Sequence, residues 1–315
     1  MTDPWLTVVM PTYNGAEFIR ATLDSLAAQT EGGFEVVALD EASTDGTPDI
    51  IAEYANRFPI RQIDGAGLNG WIAKTNRGFE LANTPYATML HQDDFWRPGR
   101  MAALRWALDE AAEAPVFVVH PVDFVDGAGR VIGKWSPPPS LGRGLVSPGD
   151  MLTRLCIQNF IAIPGSIFSS DAARAVGGVE ADMRYTGDWD FYLKLAARGP
   201  SLILRERLAC YRLHGNALTL KVAADAELFA TQLAAPVERH LPNVPAEARD
   251  WVAKRAAFSN AVNAALAGRF HSAPVPWGRL IRQGLALGPL GLPGYVRDSR
   301  IIERAAARLR MRKEG

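Results

Sequence analysis

Between Leu6 and His120 five short apolar runs alternate with amphipathic segments, and few folds satisfy that order. Leu6–Met10, Phe34–Leu39, Ile60–Ile63, Tyr86–Leu90 and Val116–His120 read as strands. Most are apolar at nearly every position, which means a sheet buried on both faces. The segments between them repeat apolar residues at helical spacing: Phe18, Ile19, Leu23 and Leu26 in the first, Ile51, Tyr54, Ala55 and Phe58 in the second. Two more helices are predicted over Ile72–Ala82 and Pro98–Ala112. Asn14 with Glu17 three residues on looks like the cap of the first helix, and Thr47-Pro48 supplies a cap and a first-turn proline to the second. Strand and helix in alternation give an α/β fold with a mostly parallel sheet covered by helices.

After His120 the pattern changes. Val122 to Ile132 contains the hairpin turn Asp126-Gly127-Ala128-Gly129. Trp135–Asp150 holds four prolines and three glycines without periodicity and reads as a mobile loop. A helix at Pro148–Cys156, a strand at Ser166–Phe168, a helix from Ser170 to the Gly177-Gly178 stop, a helix over Asp188–Arg198 and strands at Leu202–Leu204 and Leu208–Leu213 follow. From Thr219 onward the chain is Ala-rich and helical, interrupted by Pro274, Pro276, Pro289 and Pro293. The expected division is therefore a catalytic domain at 1–218 and a helical C-terminal extension at 219–315.

Charge follows the same division. The 315 residues carry 34 basic and 34 acidic side chains, yet fifteen Lys/Arg against eight Asp/Glu fall from Thr219 onward. An acidic front suits a metal-dependent site; a basic tail suits a membrane surface or an acidic protein face. No aromatic-basic interleaving or recognised module points to nucleic acid. Cys156 and Cys210 sit in apolar surroundings without metal-ligand spacing, so free thiols in a reducing compartment are expected. No targeting segment opens the sequence and no run of about 18 apolar residues occurs. The expected location is the cytoplasm, with peripheral contact at the inner face of the cell membrane through the basic tail.

The chemistry gathers at His91-Gln92-Asp93-Asp94, directly after the fourth strand. Open α/β sheets bind ligands beyond the carboxyl ends of their strands. Two adjacent carboxylates there repel one another unless a cation lies close, and a hard divalent ion on a diphosphate is the natural occupant. A solvated acidic loop is the bland alternative for that pair taken alone.

Further motifs come in a fixed order: Val9-Met10-Pro11-Thr12-Tyr13-Asn14-Gly15, Leu39-Asp40-Glu41-Ala42-Ser43-Thr44-Asp45-Gly46-Thr47, Asn76-Arg77-Gly78, Gln92-Asp93-Asp94, Gly177-Gly178-Val179-Glu180, Gly187-Asp188-Trp189-Asp190 and Tyr211-Arg212-Leu213-His214. Together they make the chain resemble a family-2 glycosyltransferase with the GT-A fold over roughly Leu6–Thr219. The resemblance implies an inverting transfer of a sugar from a nucleotide-diphosphate sugar to a glycan or lipid-linked acceptor, with Mg²⁺ or Mn²⁺, in bacterial polysaccharide or glycolipid synthesis. It carries nucleotide binding onto Pro11, Thr12, Tyr13, Asn14, Glu41, Lys74 and Asp93, metal binding onto Asp94 and His214, and the catalytic base onto Asp188. Ser43, Thr44 and Asp45 are as apt to cap a turn as to touch ligand. Arg77 could neutralise phosphate or lie on a solvated face. His91 stands where similar enzymes carry Asp and is read as structural. Glu41 replaces an Asp and Gly187 a Glu. Asp190 is read as structural, and Trp135 and Trp189 as sugar-stacking or core residues. A sugar nucleotidyltransferase would need a Gly-rich, Arg-bearing loop after the first strand, and a dehydrogenase a Gly-x-Gly-x-x-Gly; neither is present. A degenerate protein that binds nucleotide sugar or glycan without turnover is the remaining alternative.

Overall fold

The computed structural model describes residues 3–215, 226–269 and 275–303, with 305, 306 and 310. The chain runs β1 (Leu6–Thr12), α1 (Ile19–Ala27), β2 (Phe34–Asp40), α2 (Thr47–Ala52), β3 (Ile60–Asp64), α3 (Gly70–Leu81) and β4 (Tyr86–Met89). It continues through β5 (Phe95–Trp96), α4 (Arg100–Asp109), β6 (Phe117–Val119), the hairpin β7 (Val122–Val125) and β8 (Val131–Trp135), and β9 (Gly144–Val146). Then come α5 (Pro148–Leu155), β10 (Ser166–Ser169), α6 (Ser170–Ala175), α7 (Gly187–Ala196), β11 (Ser201–Ile203) and β12 (Ala209–Arg212). Four helices follow: α8 (Ala226–His240), α9 (Arg249–Arg269), α10 (Trp277–Leu285) and α11 (Gly288–Ser299).

The main sheet has the order β3-β2-β1-β4-β10-β6-β11-β9. β1, β2, β3 and β4 pair in parallel, as do β6 and β11, whereas β10 and β9 run antiparallel to their neighbours. A second sheet, β5-β12-β7-β8, lies beyond the ends of the first. The chain builds outward from β1 to β3, then returns to place β4 on the other side of β1. That reversal opens a crevice at the carboxyl ends of β1 and β4.

β1 runs two residues past the expected stop at Pro11. Its pairing with β4 ends at Val9, so Pro11 needs no N–H on that side and pairs with Leu39 of β2 alone. The expected cap at Asn14 is not made: Phe18 stands at the start of α1, and Asn14 takes a left-handed backbone with φ 44° instead. Phe95-Trp96, between the fourth strand and the helix expected from Pro98, pairs with Cys210 and Ala209. Trp135–Asp150, read as a loop, contains a 3-10 turn at Pro139–Leu141 and the edge strand β9. Both short strands exist only because of distant partners.

Alternate residues of β1 feed two cores. Val9 joins Val37, Met89, Phe168 and Phe191 on one face; Leu6, Val8 and Met10 join Leu23, Ile51 and Leu104 on the other. The first core also takes in Leu233, Val237, Val252 and Tyr295 from the C-terminal helices. The expected boundary at 218/219 lies outside the described residues.

Candidate functional site

The turn after β1 is held by the turn after β2. Asn14 N–H donates to Ser43 Oγ at 2.8 Å, Gly15 N–H to Thr47 Oγ1 at 2.8 Å and Ala16 N–H to Asp45 Oδ2 at 2.9 Å. Asn14 Oδ1 in return accepts from Thr44 N–H at 2.9 Å. Gln92 clamps Tyr13 from the other side, accepting from its N–H at 2.9 Å and donating to its carbonyl at 3.0 Å. The backbone N–H groups of Tyr13 and Asn14 are thus already bonded within the protein. What stays open is the Tyr13 ring, 54% exposed. Burial raises the pKa of Asp45, but the hydrogen bonds from Thr47 and Ala16 outweigh it and hold the carboxyl below its ordinary range.

Thr12 and Pro11 are buried and position their neighbours. Thr12 Oγ1 donates to Asp40 Oδ1 at 2.8 Å, and Ser43 fills the remaining capacity of Asp40 through its N–H and hydroxyl. Asp40 is therefore structural. Glu41 is the carboxylate that reaches the crevice, with one oxygen 2.7 Å from Lys74 Nζ and 3.1 Å from the Gly70 N–H. Lys74 also donates to the Thr12 carbonyl at 2.8 Å and lies 5.8 Å from the centre of the Tyr13 ring. Arg77 is an exposed residue paired with Glu80 at 2.7 Å, on the solvated face of α3.

The two adjacent aspartates face different ways. Asp94 is 2% exposed, and its Oδ1 accepts the Arg212 N–H at 2.9 Å. Burial and then the charge of Asp93 push its carboxyl well above the usual range. Asp94, expected to be the direct metal ligand, thus has one oxygen bonded to the second sheet. Asp93 is the open one: its Oδ2 lies 2.9 Å from His214 Nε2. Burial raises Asp93, yet the His214 contact outweighs it and keeps the carboxyl ionised. Arg212 donates to the Asp93 carbonyl at 2.8 Å and lies over the Phe18 and Phe95 rings, and Thr22 Oγ1 donates to the carbonyls of Gln92 and Asp94. The loop is fixed from three sides. The His91 ring packs against Trp71, and burial lowers its pKa, so it is a neutral structural group.

Asp188 is the second residue of α7, where the helix N-terminus favours a carboxylate. Asn159 Nδ2 donates to its Oδ2 at 3.0 Å. Burial nevertheless dominates and pushes its pKa up to about 6. α3 joins the two halves of the site, because Trp71 meets His91 and the neighbouring Ile72 lies against Gly187. A Cβ on Gly187 would sit 2.7 Å from Val179, so a glutamate cannot be accommodated there without moving that turn. Asn76 holds the same turn by a pair of 2.8 Å bonds to the Val179 N–H and carbonyl.

Asp190 is fully buried and bound by His240 at 2.9 Å, Arg239 at 3.2 Å and Lys194 at 3.3 Å, remote in orientation from Asp188. Trp189 donates to the Leu155 carbonyl inside the core, and Trp135 stacks on Phe124 in the second sheet. Neither serves as a sugar platform. Sequence reasoning missed Gln92, Asn159 and Arg212 as positioning groups; Gln92 and Arg212 carried a signal, through their places in Gln92-Asp93-Asp94 and Tyr211-Arg212-Leu213-His214, and Asn159 none.

Asp93 offers a carboxylate oxygen of the kind Mg²⁺ or Mn²⁺ takes, with the His214 imidazole nitrogen 2.9 Å from it. No group of three His, Cys, Asp or Glu side chains converges among the described residues.

Residues 7–150 match the family model described as glycosyl transferase family 2. An uncharacterized protein of Mycobacterium tuberculosis is 30% identical over 228 residues, 71% of this chain and 63% of that relative, so the match spans less than two-thirds of the relative's length. Among solved structures, S. aureus TarS 1–349 in complex with UDP-GlcNAc superposes with a TM-score of 0.58 at 14% identity, covering 90% of this chain and 92% of that one. The mannosyltransferase PcManGT from Pyrobaculum calidifontis, in complex with GDP-Man and Mn²⁺, gives 0.57 at 18% identity, covering 99% and 88%. At these identities the structures establish the fold, which is the GT-A fold.

Proposed function

We propose that this chain, which belongs to glycosyl transferase family 2, moves a sugar from a nucleotide-diphosphate sugar to an acceptor hydroxyl with inversion of configuration. The observation that carries the proposal is one juxtaposition. A carboxylate of raised proton affinity, Asp188, shares the α3 wall of a crevice with the Asp93–His214 pair. UDP, UDP-GlcNAc and GDP-Man in the structural neighbours support a nucleotide-sugar donor.

In this reading the nucleotide lies over the exposed Tyr13 ring. The Lys74–Glu41 pair presents a carboxylate to its base, with Pro11, Thr12 and Asn14 shaping the floor. Asp93, with His214 beside it, would hold a divalent ion in place of Asp94, whose Oδ1 accepts the Arg212 N–H. Such an ion, when bound, offsets the charge that develops on the leaving diphosphate. Asp188 accepts the proton of the attacking hydroxyl. Its raised pKa makes it a better base than an ordinary aspartate while it is still mostly ionised at neutral pH. Attack from the side away from the diphosphate inverts the sugar carbon in one displacement. The acceptor is a glycan or a lipid-linked sugar, as polysaccharide or glycolipid synthesis requires. Residues 1–218 supply this chemistry and 219–315 the helical extension.

The test is release of nucleoside diphosphate from a panel of UDP- and GDP-sugars with Mn²⁺ or Mg²⁺, alongside thermal shift with the free nucleotides. Ligands that bind the native state raise its melting temperature. Metal-dependent release that Asp188→Asn abolishes supports the proposal. Thermal shifts without release from any donor favour the binding protein without turnover, and neither signal removes the nucleotide-sugar reading altogether.

A further inference from the structure

α10 is docked by one face only. Leu280 packs on the main core, and Gly284 lets the helix approach Phe258 so closely that a Cβ would meet that ring at 3.4 Å. Trp277, Ile281 and Leu285, each four residues apart and so on one side of the helix, are 65%, 59% and 76% exposed. Leu290, on the next helix, is 85% exposed. Four large apolar side chains in water on two adjacent helices are more than scattered surface residues.

We infer that this stripe is the seat of an anionic bilayer surface. Charge selects that occupant. From 275 to 297 the sequence has no acidic residue. Arg282 is exposed on the flank of the stripe, Arg279 is exposed farther round the helix, and neither makes an ion pair among the described residues. An amphipathic helix with an apolar face and Arg on its flank lies in the interface of a bilayer. A second copy of the chain would set Arg against Arg. No described helix is long and apolar enough to cross a membrane, so contact is peripheral. The seat also has a route to the chemistry. Ser299, at the end of α11, accepts from Gln158 at 2.9 Å, and the next residue, Asn159, holds Asp188. Resting on the proposed transferase reading, the seat therefore serves a lipid-linked acceptor.

The experiment is co-sedimentation of the full chain with phosphatidylcholine vesicles, with and without about 30% phosphatidylglycerol, at low and high salt. The wild type sediments with the anionic vesicles and is released by salt. The triple variant Trp277→Ser, Ile281→Ser, Leu285→Ser loses binding at least ~10-fold. The charge reversal Arg279→Glu, Arg282→Glu loses it by more than the roughly five-fold per residue expected of simple neutralisation. Circular dichroism confirms that both variants fold. Release of nucleoside diphosphate to water or a soluble acceptor stays at the wild-type level in both variants, so failure of the membrane seat and failure of the transferase reading give different results. Equal sedimentation with and without vesicles overturns the inference. So does a wild-type dimer, seen by light scattering, that the triple variant dissolves without changing vesicle binding; the stripe is then a subunit interface.

Discussion

Buried Asp94 and half-buried Asp188 both have a raised pKa, and in the proposed reading the proton goes to Asp188. With its pKa pushed up to about 6, it must be ionised to accept a proton, so kcat/KM should fall below about pH 6 and level off above it. Stability follows the opposite course. A folded pKa above the ordinary 3.8 contributes stability at low pH, and that contribution is lost as pH rises from about 4 through about 6. Asp188→Asn removes the ionisation and keeps the capping shape. It should cost about 10²–10⁴-fold in transfer rate while the melting temperature at pH 8 holds or rises, with donor affinity unchanged by calorimetry. The neighbouring pair gives a second test. Asp93→Asn should abolish the metal enhancement of nucleotide binding, whereas Asp94→Asn, replacing a carboxyl already biased toward its neutral form, should keep it. Equal loss in the two variants would return the metal to Asp94. Sequence alone located the pair but not which member faced the crevice, because that depends on the Arg212 N–H, 118 positions away.

At the scale of elements, the β-α units from β1 to β4 were legible because each carries its own periodicity and turn chemistry. β5 and β9 were not, because their strand pairing comes from the distant β12 and β11. The same limit hid the support of α7. Gln232 of α8, 6% exposed, accepts from the Tyr185 N–H at 2.8 Å and donates to the Asp182 carbonyl at 2.9 Å, while its own carbonyl accepts from Thr186 Oγ1 at 2.9 Å. These bonds fix the approach to Asp188 without touching it. Gln232→Ala should therefore lower kcat about 10-fold, since misplacing a catalytic group costs rate, and leave KM for the donor near wild type. Gln232→Glu keeps the acceptor for Tyr185 and should recover part of the loss. A rise in donor KM with kcat intact would place α8 on the nucleotide side instead.

For the molecule as a whole, charge and composition marked a change near Thr219, and that boundary describes sequence character more than mechanical independence. No local pattern reveals whether a helical tail has its own core; only the packing does. Here Leu233, Val237, Val244, Val252 and Tyr295 are buried in the same cluster as Phe191 and Trp189. Asp190 of α7, fully buried, depends on Arg239 and His240 of α8. Deleting those five apolar side chains uncovers the apolar surface they bury on Phe191, Trp189 and their neighbours, at about 25 cal/mol per Å². Stranding the Asp190 charge with only Lys194 beside it adds about 3–5 kcal/mol, as the loss of buried partners does. Against a typical total stability of about 5–15 kcal/mol, a chain ending at residue 218 should not hold its native state. Expressed alone, it should be insoluble or show a broad, non-cooperative melt, with no thermal shift from nucleotide and Mn²⁺. Adding back residues 219–269, which restore α8 and α9, should recover a cooperative transition even without α10 and α11. A cooperative, nucleotide-responsive 1–218 fragment would show instead that the catalytic part folds by itself and that the shared core is an interface between two independent units.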